Sequence, residues 1–244
     1  YGRVVLAGSD NAFDDGDCSI DSGPGSQYHA AIARAPDSGR YLVAWSDDRA
    51  TDTSDDDIYA RHLTADANLY GSSFALSDAP GWQGEAAAAG AGGPDSYFVA
   101  WTDEQVGQAD IQGQRIAASG SLLWYPFTIS AQPEMQLSPA VAYSWPYGCY
   151  LAVWQDQRDG HWAIYGQRLS HHGEPLEEPW AIEADGNDNV SPAVAYGVNQ
   201  ATFVVVWRDE QADKLEGRQV QPSGDSTVLF SVTSSAGGEH PRIA

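Results

Sequence analysis

Aspartates crowd two segments of the sequence, and carboxylates at this density can bind a cation. The candidate ligands are Asp15, Asp17 and Asp21 near the N-terminus, and Asp52, Asp55 and Asp57 further along. Ca²⁺ takes its oxygen ligands from carboxylates and carbonyls, so calcium is the cofactor that either segment would hold. The N-terminal segment lacks the register and the closing Glu of a helix–loop–helix calcium loop. A solvated acidic loop without an ion is the alternative.

Four aromatic residues interrupt the pattern of their neighbours and fall in predicted loops. They are Trp82, Trp145, Tyr147 and Trp162. Exposed aromatic rings offer flat faces to sugar rings or to the side chains of a protein partner, so these residues are the candidate ligand-binding set. The alternative is that each ring covers the edge of a sheet. Trp180 is excluded from the set because it aligns with Phe74 and Phe127, which are predicted core positions.

Motifs for other kinds of catalytic site are missing from the sequence. His161, His171 and His172 lie close together, but not at the spacing of a zinc site. Neither a G-x-S-x-G nucleophile motif nor a G-x-x-x-x-G-K-[ST] phosphate loop occurs. The sequence therefore indicates no zinc or phosphate chemistry, and a Ser–His–Asp site stays open without a motif to support it.

A repeated unit surrounds these candidate residues. A tryptophan recurs every 53 to 56 residues, at Trp45, Trp101, Trp154 and Trp207. Two positions later comes an aspartate, at Asp47, Asp103, Asp156 and Asp209. Two positions further on stand Arg49, Gln105, Arg158 and Gln211. A carboxylate at a strand end accepts hydrogen bonds from turn N–H groups and pairs with arginine, so we expect a motif that locks a turn. A ring of functional acids is the alternative.

Each repeat contains four short apolar runs that predict β-strands. The runs are rich in Val, Ile, Tyr, Phe and Trp and are bounded by Gly, Asp and Pro, and no stretch has helical periodicity. Four antiparallel strands at this period are the content of a propeller blade. We therefore predict an all-β fold, a β-propeller of four-stranded antiparallel blades. The repeats span residues 29–78, 85–131, 138–184 and 191–233.

Small residues indicate how each blade is oriented. The first run of every repeat is rich in alanine, which suits the innermost strand because blades converge there and space is scarce. Glycine recurs in the third run, at Gly113, Gly166 and Gly217, where we expect close packing.

The two ends of the chain resemble parts of a repeat. Residues 1–10 resemble a fourth run, and residues 239–244 match a first run. If the two ends share a closing blade, residues 1–244 form a single propeller domain of five blades. A four-bladed ring with extra terminal strands is the alternative, and so is a piece of a longer protein.

The composition limits the partners. The formal net charge is −22, which disfavours nucleic acid and anionic membrane surfaces and favours cations or basic partners. No apolar run is long enough to span a membrane. Cys18 and Cys149 are the only cysteines, so one disulfide is possible in an oxidising compartment.

The repeats resemble those of secreted bacterial and archaeal β-propeller proteins. The resemblance rests on YLAVWQDQRDGHWAIYGQRL and SPAVAY, which are similar to the Val-Val-Trp-x-Asp-x-Arg and Asp-Ile-Tyr-Gly-Gln-Arg units of that family. It covers residues 29–233, and the sequence departs from it at Gln105, Gln211 and Glu216. The resemblance implies a secreted or cell-surface protein and says little about activity.

The sequence leaves three functions open. Because every strong motif belongs to the scaffold, we expect a non-catalytic extracellular binding or scaffold module that recognises a glycan or a protein through its loop face. The first alternative is a propeller glycoside hydrolase or lyase that uses carboxylates at the channel mouth, although no pair of acids stands out from the repeats. The second is a subunit of a larger surface assembly.

Overall fold

The described part of the chain consists of antiparallel sheets. The computed structural model describes residues 19–49, 55–92, 96–105, 107–225, 229–232 and 241–243. Within these ranges the chain forms β-strands and no α-helix, which confirms the predicted all-β class. The strands form four sheets of four, and in every sheet the strands lie in chain order with antiparallel neighbours. None of the described residues belongs to a helix that could cross a membrane.

Each predicted repeat forms one sheet. Sheet 1 contains β1 (Gln27–Arg34), β2 (Tyr41–Asp47), β3 (Asp57–Leu63) and β4 (Leu69–Ser77). Sheet 2 contains β5 (Trp82–Ala91), β6 (Ser96–Gln105), β7 (Gln108–Ala117) and β8 (Leu122–Ser130). Sheet 3 contains β9 (Gln136–Ser144), β10 (Cys149–Asp156), β11 (Ala163–Ser170) and β12 (Trp180–Glu183). Sheet 4 contains β13 (Asn189–Gly197), β14 (Thr202–Asp209), β15 (Lys214–Val220) and β16 (Phe230–Ser231).

The first strands of the four sheets lie side by side around a cavity. β5 contacts β1 and β9, and β9 contacts β13. The cavity has a volume of about 640 Å³, and its walls are the segments 29–32, 85–88, 138–141, 191–194 and 241–243. The alanine-rich strand is therefore innermost, as predicted. Of the two ends assigned to the closing blade, residues 241–243 line the cavity, and residues 1–10 lie outside the described residues.

Apolar clusters fill the spaces between neighbouring sheets. Trp101 packs with residues of sheet 1, Trp154 with residues of sheet 2, and Trp207 with residues of sheet 3. All three side chains are fully buried, and Trp45 is 3 % exposed in a smaller cluster on the other face of sheet 1. Burial of a large apolar side chain contributes on the order of 2–3 kcal/mol, so the recurring tryptophans are core, as predicted.

The recurring glycines of the third strands stand where a side chain has no room. A Cβ atom on Gly113 would lie 2.6 Å from Cζ of Phe98, and one on Gly166 would lie 2.7 Å from Cδ1 of Ile182. One on Gly217 would lie 2.7 Å from a backbone oxygen, that of Val205. These contacts confirm the predicted close packing.

The tryptophan–aspartate motif locks a turn in sheets 1 and 3, as expected. In sheet 3, Asp156 accepts a hydrogen bond of 2.9 Å from Trp154 Nε1 and two at Oδ1 from the backbone N–H and the Nε–H of Arg158. Asp47 has the same contacts with Trp45 and Arg49. Burial acts to raise the pKa of Asp47, but the hydrogen bonds from Arg49 and Trp45 outweigh it and lower this pKa.

Candidate functional site

The antiparallel order of the strands sorts the loops onto two ends of the sheets. Each first strand begins at one end of its sheet. The same end carries the loops between second and third strands and the connections from one sheet to the next. We call this the upper end. The lower end carries the turns between first and second strands and those between third and fourth strands. Residues at the start of a first strand therefore lie at the upper mouth of the cavity.

A strained backbone position recurs at this upper mouth. One residue near the start of each first strand has a positive φ of 48° to 56°, namely His29, Glu85, Ser138 and Ser191. The pairing with the second strand shifts register beside each of them, which identifies a β-bulge. A left-handed backbone in a residue other than glycine costs about 1–3 kcal/mol, and such strain clusters at functional sites. The bulges therefore mark the upper mouth as the candidate site.

Glu85 is held firmly at the mouth by residues of two sheets. Its Oε2 accepts hydrogen bonds of 2.7 Å from the backbone N–H of Ser138 and 2.9 Å from the hydroxyl of Thr102. Its Oε1 accepts one of 3.1 Å from the hydroxyl of Ser138. In sheet 3 the amide oxygen of Gln155 takes the same place, at 2.9 Å from the backbone N–H of Ser191. The backbone N–H at the bulge of sheet 3 is therefore bound by a carboxylate, whereas the one at the bulge of sheet 4 is bound by a neutral amide.

A second polar cluster lies at the upper end, between sheets 1 and 2. The hydroxyl of Tyr28 donates a hydrogen bond to Oδ2 of Asp56. Burial and this hydrogen bond raise the pKa of Tyr28 to about 12, so its hydroxyl stays protonated at neutral pH. The backbone oxygen of Asp56 accepts a 2.7 Å hydrogen bond from the N–H of Gln83, two residues before Glu85. The ring of Trp82 covers Gly84 between them.

The cavity itself carries few charged groups. Of the described residues that line it, Glu85 is the only carboxylate and Arg242 the only arginine or lysine, with His29 as the remaining titratable group. Deeper in the cavity the lining is apolar and includes Ile32, Val141 and Val194. A ligand in this cavity would therefore meet polar groups at the mouth and an apolar wall below.

The structure does not bring the four predicted aromatic residues together. Trp82 is the first residue of β5 rather than a loop residue, and Trp162 directly precedes β11, so both lie at the upper end. Trp145 and Tyr147 are each 57 % exposed in the turn between β9 and β10, at the lower end. The Trp145 ring also covers Gly92, as the covering alternative expects. Only Trp82 and Trp162 share an end with Glu85.

Only three of the six predicted calcium ligands lie within the described residues. Asp15, Asp17 and Asp52 lie outside the described residues. Asp21 forms an ion pair with Arg49 and accepts a hydrogen bond from Ser73. Burial and the nearby charge of Asp78 raise the pKa of Asp57, and Asp55 adds to that effect. The described residues contain no group of three or more His, Cys, Asp or Glu side chains that could hold a metal ion, and calcium stays a prediction.

Cys149 is buried in the core between sheets 3 and 4, and burial raises the pKa of its thiol. Cys18 lies outside the described residues, so the possible disulfide between them stays a prediction.

Sequence reasoning did not single out Glu85 or Tyr28, and it considered Asp56 only as one aspartate of an acidic loop. A signal for Glu85 was present, because the first runs begin with His29, Glu85, Ser138 and Ser191 and only one of these is an acid. Asp56 stood out less, since it lies within a run of aspartates in which nothing distinguishes one carboxylate from the next.

The fold is similar to that of several solved structures. No protein-family model and no curated protein matches the chain. An N-acetylgalactosamine deacetylase from F. plautii, in complex with blood group B trisaccharide, has a TM-score of 0.58 at 12 % identity, over 91 % of this chain and 73 % of that one. A subtype N11 neuraminidase-like protein (flat-faced bat, H18N11) has a TM-score of 0.57 at 12 % identity, over 85 % of this chain and 54 % of that one.

A third similar structure is an α-L-arabinofuranosidase from Lactobacillus brevis, with a TM-score of 0.52 at 11 % identity, over 84 % of this chain and 77 % of that one. Likeness at such low identity shows the fold, which is all-β and propeller-like. The chain spans about half the length of the neuraminidase-like protein.

The prediction of a non-catalytic binding module is wrong in the light of these comparisons. The similar structures named above are two carbohydrate-active enzymes and a neuraminidase-like protein, and they favour the alternative of a propeller glycosidase. The error has a physical source. The prediction found no pair of acids outside the repeated motifs, and it did not single out Glu85, whose counterparts His29, Ser138 and Ser191 are not acids. The further alternative, a subunit of a larger assembly, stays a prediction.

Proposed function

We propose that this chain is a glycoside hydrolase that cleaves its substrate at the upper mouth of the central cavity, with Glu85 as a catalytic carboxylate. The observation that carries the proposal is the position of Glu85, a carboxylate held by three hydrogen bonds at a strained bulge that lines the cavity. A glycan is the substrate class that fits the enzymes with the same fold.

Hydrolysis of a glycosidic bond generally needs two carboxyl groups. In the proposed mechanism Glu85 acts at the anomeric carbon, as base toward water or as nucleophile. Asp56, which accepts a hydrogen bond from Tyr28 at Oδ2 beside the cavity, is the candidate second carboxyl group; in its protonated form it gives the proton of its other oxygen to the leaving oxygen. The C–O bond breaks, the oxygen of water ends on the anomeric carbon, and one proton of water restores the acid.

The proposal includes a five-bladed propeller. It is supported by the fifth wall of the cavity, where residues 241–243 stand in the register of the first strands of the sheets. The proposal also includes secretion or display at the cell surface. That part rests on the resemblance of the repeats to secreted propeller proteins.

The test is release of reducing sugar from a panel of polysaccharides and aryl glycosides by the purified chain. Substitution Glu85→Gln is expected to lower kcat by about 10²–10⁴-fold, since it removes the ionisable group and keeps its shape. Asp56→Asn is expected to lower kcat as well.

The matched control is Glu134→Gln, which changes an exposed acid in the connection between sheets 2 and 3, at the same end. It is expected to leave turnover unchanged. Absence of turnover on every substrate, or full activity in Glu85→Gln, would refute the proposed function.

A further inference from the structure

One of the five walls of the cavity differs in sequence from the other four. In the register of the first strands, Pro139, Pro192 and Pro241 stand at equivalent positions. The next position is alanine in each of the four sheets, at Ala31, Ala87, Ala140 and Ala193. In the fifth wall that position is Arg242, which lines the cavity and is exposed. A long cation thus replaces a methyl group at one point around the channel.

Among the described residues, Arg242 is the only arginine or lysine that lines the cavity. The chain has 34 acidic residues against 12 lysines and arginines, so acidic partners are abundant. Arg49, Arg158, Arg168 and Arg218 each form an ion pair with a carboxylate, and so does Lys214. No ion pair joins Arg242 to any residue in the described ranges, and this includes Glu85 in the same cavity. The guanidinium therefore has no carboxylate partner among the described residues.

The chemistry of the side chain indicates what that ligand carries. A guanidinium presents paired N–H donors that match a carboxylate, and the interaction strengthens where water is scarce. A neutral sugar needs no cation, and a negatively charged protein disfavours anions except where a local positive charge compensates. In the sequence register Arg242 aligns with Ala87, two residues after Glu85, an offset of roughly 7 Å along an extended strand. That separation is comparable to one sugar ring.

We propose that the cavity binds a sugar that carries a carboxylate, and that Arg242 binds this carboxylate while the bond at the mouth lies against Glu85. This inference deepens the proposed function and rests on it for the second clause only. Recognition of the acidic sugar by Arg242 is a binding property, so it can be measured in protein that does not turn over.

The experiment measures binding to the Glu85→Gln protein by titration calorimetry or by NMR shifts. The probes are glucuronate and galacturonate, their neutral counterparts glucose and galactose, and acetate as a carboxylate without a sugar ring. The uronates are expected to bind about tenfold or more tightly than the neutral sugars and than acetate. Arg242→Gln is expected to weaken uronate binding about 10- to 100-fold, and Arg242→Lys less, because lysine keeps the charge without the fork.

The matched control is Arg34→Gln, an exposed arginine at the lower end of a first strand, which is expected to bind the uronates like the parent protein. Thermal unfolding of each variant separates a loss of binding from a loss of fold. Equal affinity for charged and neutral sugars would overturn the inference, and so would uronate binding that survives Arg242→Gln, binding of acetate as tight as that of the uronates, or no uronate binding at all.

The same data separate this inference from the proposed function. Binding that depends on Arg242 without any hydrolysis in the parent protein would refute the enzyme and keep the acidic-sugar site. Hydrolysis of neutral glycans that is insensitive to Arg242→Gln would do the reverse.

Discussion

At the scale of single residues, the site is built where members of a repeated set differ. Glu85 replaces serine or histidine at the bulge, and its carboxylate accepts the hydrogen bonds that Gln155 accepts with an amide oxygen one sheet further on. All four bulge residues share the strained backbone, but Glu85 is the only one with a carboxylate. The proposed catalytic role therefore rests on a substitution within the repeat and not on the repeated motif.

A second difference within the set concerns the turn motif of sheet 2. Asp103 is followed by Gln105, not by the arginine that sheets 1 and 3 have, and Asp110 lies directly across from it on β7. Burial and the charge of Asp103 raise the pKa of Asp110. A raised carboxyl pKa stabilises the folded state below the ordinary pKa of the group, and this contribution is lost as pH rises through the raised value.

Substitution Asp110→Asn is therefore expected to raise the free energy of unfolding at pH 7 by about 1 kcal/mol, because it removes the repulsion between two facing carboxylates. The gain should disappear below about pH 3, where the aspartate is largely protonated in both states. Urea unfolding at the two pH values measures this, with Asp225→Asn, an exposed acid, as the control. A gain of the same size at both pH values would contradict the prediction.

At the scale of elements, each sheet depends on close contact between its third strand and its neighbours. Gly166 on β11 is covered by Ile182 of β12, and Gly113 and Gly217 have equivalent close neighbours. The corresponding residue of sheet 1 is Ala60, which is fully buried, so a methyl group is tolerated where the surrounding side chains have adapted.

Substitution Gly166→Ala is expected to cost about 1–3 kcal/mol, because its Cβ would lie 2.7 Å from Cδ1 of Ile182. Ile182→Val removes that methyl group and alone costs about 1 kcal/mol. The double variant should lose less free energy of unfolding than the two single variants lose together. A double-mutant cycle by urea unfolding measures this difference. Simple additivity would show that the contact is not the cause.

At the scale of the whole molecule, the candidate site and the exposed pair Trp145 and Tyr147 lie at opposite ends of the sheets. The upper end holds the bulges, Glu85 and the Tyr28–Asp56 cluster, while the exposed pair Trp145 and Tyr147 lies at the lower end. A ligand in the mouth cannot touch both ends at once. Of the predicted aromatic residues, Trp82 and Trp162 share the upper end with the proposed glycan site.

Substitution Trp82→Ala is expected to raise KM for a glycan substrate about 3- to 10-fold, the range typical of one aromatic contact. Trp145→Ala is expected to leave kcat and KM unchanged, since its ring covers Gly92 at the opposite end. Steady-state kinetics on the best substrate compares the two variants, and thermal unfolding checks that each is folded. An equal rise in KM for both variants would place the glycan elsewhere.

The local architecture follows from the sequence alone. The four repeats, the strands within them, the buried tryptophans and the tightly packed glycines follow from patterns a few residues long, since alternation, turn residues and side-chain volume act between near neighbours in the chain. The locking of the turn by Asp156 and Arg158 was predictable for the same reason, because both partners lie in one short segment.

The site was decided by the tertiary structure. Ser138 and Glu85 are 53 residues apart in the chain, and their hydrogen bond exists only because β5 and β9 pack side by side. The separation of Trp82 from Trp145 onto opposite ends likewise follows from strand direction and not from residue type. The sequence does not distinguish a carboxylate in a solvated loop from one in a cavity wall, because the packing of the sheets creates the difference between the two environments.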